Sequence, residues 1–215
     1  MKVKLAFLLG LSDRRLIERY LVRQDAYPRG LNSYKHTPMA DDWLDEPKYE
    51  KSKRGFKKEP QELDEAAMRR KAVELLARRE YSFAELEKKL VPLNSDEMVA
   101  YAALDWLVEN GLQSDERFAC MYVRSKAVGG YGPIRIRMEL NQKGVKDYLI
   151  EQAFEETQGE VDWDEEVNRL ILKKSKSLDL SNPKDKNKVM GYLQRRGFSL
   201  DQIYSGLDHI KRLEK

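Results

Sequence analysis

The residues that most often carry chemistry are scarce in this chain. It has two histidines, His36 and His209, and one cysteine, Cys120. Neither histidine stands in metal-ligand spacing with a second donor. A lone thiol makes neither an internal disulfide nor a thiolate cage, and it fits a reducing compartment. The run GGYGP at Gly129–Pro133 is glycine-rich, but no Lys-Ser/Thr pair follows it as in a phosphate-cradling loop. It is therefore read as a turn between helices. No nucleophile elbow is present. Carboxylates are plentiful and fall mostly in first turns of helices or on polar faces. The expectation is a protein with no enzyme activity, no cofactor and no metal.

Cations are the more informative set. Arg78 and Arg79 close one helical pattern, and Lys88 and Lys89 lie in the next. Arg124 and Lys126 close a third, and Arg135, Arg137 and Lys143 belong to its successor. Lys173, Lys174 and Lys176 close another, and Lys184, Lys186, Lys188, Arg195 and Arg196 lie in or beside the one after. Basic side chains at helix C-termini also suit the helix dipole, and solvated faces are ordinarily charged. Their recurrence at corresponding places is what favours contact with a polyanion or a repeated acidic surface. The candidate contact residues are Arg78, Arg79, Lys88, Lys89, Arg124, Lys126, Arg135, Arg137, Lys143, Arg195 and Arg196. Tyr122, Tyr131 and Tyr148 are aromatic candidates for stacking on bases or packing on protein, Tyr122 being better suited to the core because it sits on the stripe of Phe118.

These side chains need helices to carry them, and the pattern supplies helix after helix from Leu63 onward. Met68, Ala72, Leu75, Leu76 and Arg79 follow helical spacing. Ser82 and Glu85 have the spacing of a capping box, with Tyr81 and Leu86 as its apolar staple. A third helix runs from about Ser95 through Ala100, Leu104 and Leu107 to a glycine stop at Gly111. Ser114 caps the next, and Asp115 and Glu116 suit its positive end. Pro133 suits a first helical position, and that helix, carrying Ile136 and Leu140, stops at Gly144. Another starts near Lys146 and turns Ile150, Ala153 and Phe154 inward. After the acidic stretch at 155–166, Trp163, Val167, Leu170 and Ile171 make one helix, and Val189 and Leu193 a second. Ser199 and Gln202 form another capping box for the last. Trp106 and Trp163 are assigned to the core or to contacts between units. Almost no segment alternates in strand fashion.

One phrase occurs twice. LNQKGVKDYLIEQAF at Leu140–Phe154 and LQRRGFSLDQIYSGL at Leu193–Leu207 align with a shift of 53 positions, Leu140 on Leu193. Gly144 then meets Gly197, and Ile150 meets Ile203. Each phrase is a second helix, a glycine turn and a third helix. In the first unit Asn94 stands where the others have glycine, and asparagine is the next residue to favour the left-handed conformation. The sequence thus predicts an all-α chain of three tandem three-helix repeats at 63–112, 113–157 and 158–215, forming an elongated, curved array. Residues 1–62, mixing Pro, Gly and opposed charges, are predicted to be a poorly ordered extension or linker, with a short helix at SDRRLIERYLVRQ.

The 215 residues are 36% charged and 41% hydrophobic, with a net charge of only +3. So small an excess does not argue for nucleic-acid binding by itself; its distribution must. No apolar run approaches the roughly 20 residues needed to span a bilayer. The N-terminus lacks a cleavage signal. A cytoplasmic, elongated monomer is expected.

LLARREYSFAELEKKL, LDWLVENGLQSDERFACMYVRSK and GPIRIRMELNQKGV together resemble the RecX family of recombination regulators, and LQRRGFSLDQI resembles that family's C-terminal unit. The resemblance spans about Leu63 to Lys211. It implies a modulator, usually an inhibitor, of the RecA recombinase. Such a protein lies in the groove of the RecA–single-stranded-DNA filament and limits filament growth, ATP hydrolysis and strand exchange. Single-stranded DNA, with double-stranded DNA as a second form, and the RecA filament are the implied partners. The competing reading is a helix-turn-helix transcription regulator, with LQRRGFSLDQI as the motif. The helix after that glycine is poor in Arg and Asn at its start, which makes base readout weak.

Overall fold

The computed structural model of the chain describes residues 62–213; the 1–62 extension and the short helix expected at SDRRLIERYLVRQ lie outside them except for Glu62. Among the described residues there are nine α-helices and no strand. In chain order these are α1 (Glu65–Leu76), α2 (Phe83–Leu90), α3 (Glu97–Glu109), α4 (Asp115–Val128), α5 (Pro133–Gln142), α6 (Asp147–Thr157), α7 (Trp163–Ser175), α8 (Pro183–Arg196) and α9 (Leu200–Leu213). The described residues fall into two compact units, 62–118 with Lys143–Val145, and 119–142 with 146–213.

Local chemistry sets the helix ends. The Ser82 hydroxyl accepts from the Glu85 amide at 3.2 Å, and the Glu85 carboxylate accepts from the Ser82 amide at 3.3 Å, closing the expected capping box. Ser199 and Gln202 close the second one in the same way, at 3.2 and 3.0 Å. The Ser114 hydroxyl accepts from the Arg117 amide at 3.2 Å, and Pro133 opens α5. Asp96 caps α3 by accepting from the Met98 amide.

Apolar spacing then decides what each helix buries. In the first unit Met68, Ala72 and Leu76 of α1 pack with Leu86 and Leu90 of α2 and with Ala100, Leu104 and Leu107 of α3, with Tyr81 in the same core. Trp106 lies half-buried against it. In the second unit Val167, Leu170 and Ile171 of α7 pack with Val189 and Leu193 of α8 and Ile203, Leu207 and Ile210 of α9. Gly206 lets α7 and α9 approach closely: a methyl there would meet Val167 Cγ1 at 2.6 Å and Ile171 Cδ1 at 2.8 Å. Ile136, Leu140, Ile150 and Ala153 are buried as the spacing requires, and Trp163 stacks at a tilt on Phe154, 5.9 Å between centroids.

The glycine stops behave as expected at Gly111, Gly144 and Gly197, with φ of +66°, +77° and +91°. Asn94 corrects the sequence reading. Its φ is −145° and ψ 146°, an extended conformation, and no described non-glycine residue has positive φ. A 3₁₀ turn over Val91–Leu93, with Pro92 inside it, ends α2 instead. The Asn94 side chain is used for bonding: it donates to the Leu63 carbonyl at 2.8 Å and accepts from the Asp96 amide at 2.8 Å.

Candidate partner interface

The eleven candidate cations divide by what they touch. Arg79 is well enclosed, its side chain 11% exposed. Its guanidinium lies 3.7 Å from the centroid of the Tyr81 ring and pairs with Glu85 at 3.2 Å. Glu85 also receives Lys143 Nζ at 2.6 Å. The Ser82 hydroxyl donates to the Lys143 carbonyl at 2.6 Å. One carboxylate thus completes a helix cap and holds two cations. Burial alone would raise its pKa; the Lys143 hydrogen bond and the charges of Arg79 and Lys143 outweigh that and hold it below the ordinary value.

Arg124 chelates Glu160 at 2.5 and 2.9 Å. Arg137 chelates Glu151 at 2.8 and 2.9 Å and covers the Phe154 ring at 3.9 Å. Lys89 lies 5.7 Å from the Tyr81 ring. Arg78, Lys88 and Arg195 are exposed; Arg78 reaches back one turn to Glu74 at 3.1 Å. Tyr148 is 64% exposed, whereas Tyr122 is buried and donates its hydroxyl to Glu139 at 2.7 Å. Tyr122 is therefore a core residue.

The remaining cations converge on Tyr131, in the GGYGP turn between α4 and α5. Lys126, Arg135 and Arg196 lie 4.7, 4.6 and 4.7 Å from its ring centroid. Arg196 also lies 5.3 Å from the Tyr192 ring, over which Lys174 sits at 4.6 Å. The turn is fixed by Arg196, whose Nη1 donates to the Gly129 carbonyl at 2.6 Å and the Gly130 carbonyl at 3.3 Å. Arg135 donates to the Arg195 carbonyl at 3.2 Å. Glu139 pairs with Arg135 at 2.7 Å and Lys126 at 3.2 Å. Burial pushes the Glu139 pKa up, but the hydrogen bonds from Arg135 and Tyr122 and the Lys126 charge bring it below the ordinary value. The same Arg135 bond raises the arginine's own pKa.

Sequence reasoning left Lys174 outside the candidate set and did not weigh Tyr192. The signal that could have found the cluster was the repeated phrase itself. The residue before each glycine is a cation: Lys143 turns back onto the first turn of α2, and Arg196 onto the turn that joins α4 to α5. The Gly197 turn does so through backbone bonds: the Gly132 amide donates to the Arg196 carbonyl at 2.7 Å and the Ile134 amide to the Gly197 carbonyl at 3.1 Å.

Among the described residues no group of three or more His, Cys, Asp or Glu side chains could hold a metal ion. Cys120 is buried, its Sγ 3.2 Å from Glu156, and His209 is exposed on α9. No described helix is long and apolar enough to cross a membrane. Helical triplets carrying clustered cations and tyrosines define an all-α protein built from three-helix units.

Comparison with known proteins narrows that class to one family. Models of the second and third three-helix domains of RecX match residues 114–153 and 160–207. A regulatory protein RecX from Pseudomonas savastanoi pv. phaseolicola is 40% identical over 137 residues, covering 64% of this chain and 87% of that relative. Another, from Halorhodospira halophila, is 37% identical over 140 residues, covering 64% of this chain and 84% of the relative. The crystal structure of RecX from Lactobacillus salivarius superposes with a TM-score of 0.61 at 24% identity, covering 69% of this chain and 97% of that one, a likeness of fold. The chain belongs to the RecX family, a family of regulatory proteins.

Proposed function

We propose that this protein regulates the RecA recombinase in the cytoplasm, as an inhibitor. It binds as a monomer in the groove of the RecA–single-stranded-DNA filament, where it limits filament growth, ATP hydrolysis and strand exchange. Its three repeats take 63–112, 113–157 and 158–215. The observation that carries the reading is membership of the RecX family, and the clustered positive charge in the second unit is consistent with it. Arg78, Lys88 and Arg195 offer their charges to the partner directly. Lys126, Arg135 and Arg196 do so as a group, while Arg79, Arg124, Arg137 and Lys143 act mainly through the carboxylates that hold them.

A helix-turn-helix regulator is less well supported. At the start of α9 the Gln202 side-chain oxygen is used by the Ser199 amide, and Asp201 puts negative charge where a base-reading helix would meet DNA. The Gly197 turn is itself packed on Arg135.

The test is RecA ATP turnover on single-stranded DNA with increasing amounts of this protein. Inhibition at well below one molecule per RecA is expected. No inhibition at equimolar protein, together with tight binding to one particular duplex, would overturn the proposal in favour of the transcription regulator.

A further inference from the structure

We infer that the cation cluster around Tyr131 and Tyr192 is a contact for the phosphodiester backbone of single-stranded DNA, with Lys174 and Arg196 as members, and that it holds phosphates rather than reading or stacking bases. The inference deepens the proposed function and rests on it for the choice of nucleic acid.

Charge balance is the first support. Lys126, Arg135, Arg196 and Lys174 are the four cations over the two rings, and Glu139 is the one carboxylate paired among them. Four cations less one carboxylate leaves three positive charges in one place. Four of the candidate cations outside the cluster are paired more evenly: Arg124 with Glu160, Arg137 with Glu151, and Arg79 and Lys143 on Glu85. Arg196 gives its hydrogen bonds to neutral carbonyls, and Lys174 meets the Tyr192 ring. Such an excess attracts anions, and an extended polyanion most of all.

The rings give the second support, because they separate phosphate contact from base stacking. A base needs an open aromatic face. Here cations already lie over Tyr131 and Tyr192. The tyrosines act as platforms that hold cations in position through their ring quadrupoles. Cations held in position on several helices suit a flexible strand whose phosphates adjust to them, and they carry no sequence preference.

The test uses the full chain alone, without RecA, and a labelled oligo-deoxythymidine strand titrated at salt concentrations from about 50 to about 200 mM. Removing one phosphate contact from a single-strand complex lowers the slope of log K against log salt by about 0.7. Lys174→Gln should show that loss with its thermal midpoint unchanged, since Lys174 holds no carboxylate. Glu139→Gln should bind the strand more tightly than wild type, and Lys211→Gln, at the far end of α9, should match wild type. An unchanged slope and affinity in Lys174→Gln would overturn the inference. So would weakened association of Lys174→Gln with RecA while its DNA binding stayed intact, which would make the cluster a protein contact. Because the strand titration omits RecA, its failure leaves the inhibition proposal standing. Loss of inhibition with an intact salt slope would do the reverse.

Discussion

Replacing glycines one at a time separates two reasons a chain can need glycine. Gly111 has φ +66° and nothing within 4 Å of an added Cβ, so Gly111→Ala bears backbone strain alone. That strain is about 1–2 kcal/mol for an L-residue in the left-handed region. Gly132 has no positive φ, but an added methyl would lie 2.6 Å from the Phe198 amide nitrogen, against backbone that cannot swing aside. Gly132→Ala therefore bears overpacking alone, about 1–3 kcal/mol. Gly197 combines both: φ is +91°, and a methyl would meet the Arg135 backbone nitrogen at 2.5 Å and its Cα at 2.9 Å. Gly197→Ala should lose roughly the sum, about 2–5 kcal/mol. Gly144, at φ +77° with the Ala84 methyl 2.5 Å from the added carbon, should behave like Gly197. Gly191, inside α8 and facing only Arg195 Nη1 at 3.4 Å, is the control. Alanine there should stabilise by roughly 0.5–1 kcal/mol. Urea unfolding followed by circular dichroism reads these differences. With a slope of about 1–3 kcal/mol/M, a loss of 3 kcal/mol moves the midpoint by roughly 1–3 M. If Gly111→Ala and Gly197→Ala lose the same stability, turn docking has no energetic weight and the argument from close approach fails.

Three further outcomes follow from the same geometry. Glu85 and Glu139 have folded pKa values below the ordinary 4.5, so their contribution is complete above that value and is lost as pH falls through the folded pKa. The urea midpoint should therefore vary little between neutrality and about pH 5 and drop below about pH 4.5, less steeply in Glu85→Gln. Ser82→Ala removes both a helix cap and the bond to the Lys143 carbonyl, and should cost about 1–3 kcal/mol in the same unfolding assay, with Ser82→Thr recovering most of it. Arg79→Met should cost more than Arg137→Met: Arg79 is 11% exposed and Arg137 is 38% exposed. About 1–3 kcal/mol is expected for the first and under about 1 kcal/mol for the second, read as urea midpoints.

Helix positions were legible because their signals are local. A capping box spans four residues, and a glycine stop needs only its own φ, so Ser82–Glu85, Ser199–Gln202, Gly111, Gly144 and Gly197 could be placed from the sequence. Asn94 was misread because the competing force is not local. Its side chain is held by the Leu63 carbonyl on the far side of α1 and α2, and the extended backbone follows from that bond and the turn at Pro92. The cations were harder for the same reason. Their types and rough spacing were visible, but Arg124 meets a carboxylate 36 positions away and Arg117 one 37 positions away. Only the fold tells a paired arginine from one that keeps charge to offer.

The repeated phrase is where sequence and packing meet. Its second-helix leucines, Leu140 and Leu193, are fully buried, and the glycines that follow turn the chain with positive φ. That much would explain a glycine, which asparagine can sometimes replace. It does not explain why each turn lies against another helix start, Gly144 on Ala84 and Gly197 on Arg135, so closely that a methyl has no room. The second condition admits glycine alone. It also accounts for the place where the phrase is not written: α2 ends in a 3₁₀ turn at Val91–Leu93, and among the described residues no earlier helix pair offers a start for that turn to pack on. The recurrence thus records a docking requirement. The cations just before each glycine, Lys143 and Arg196, are carried by that docking to the carboxylate of Glu85 and the carbonyls of the Tyr131 turn.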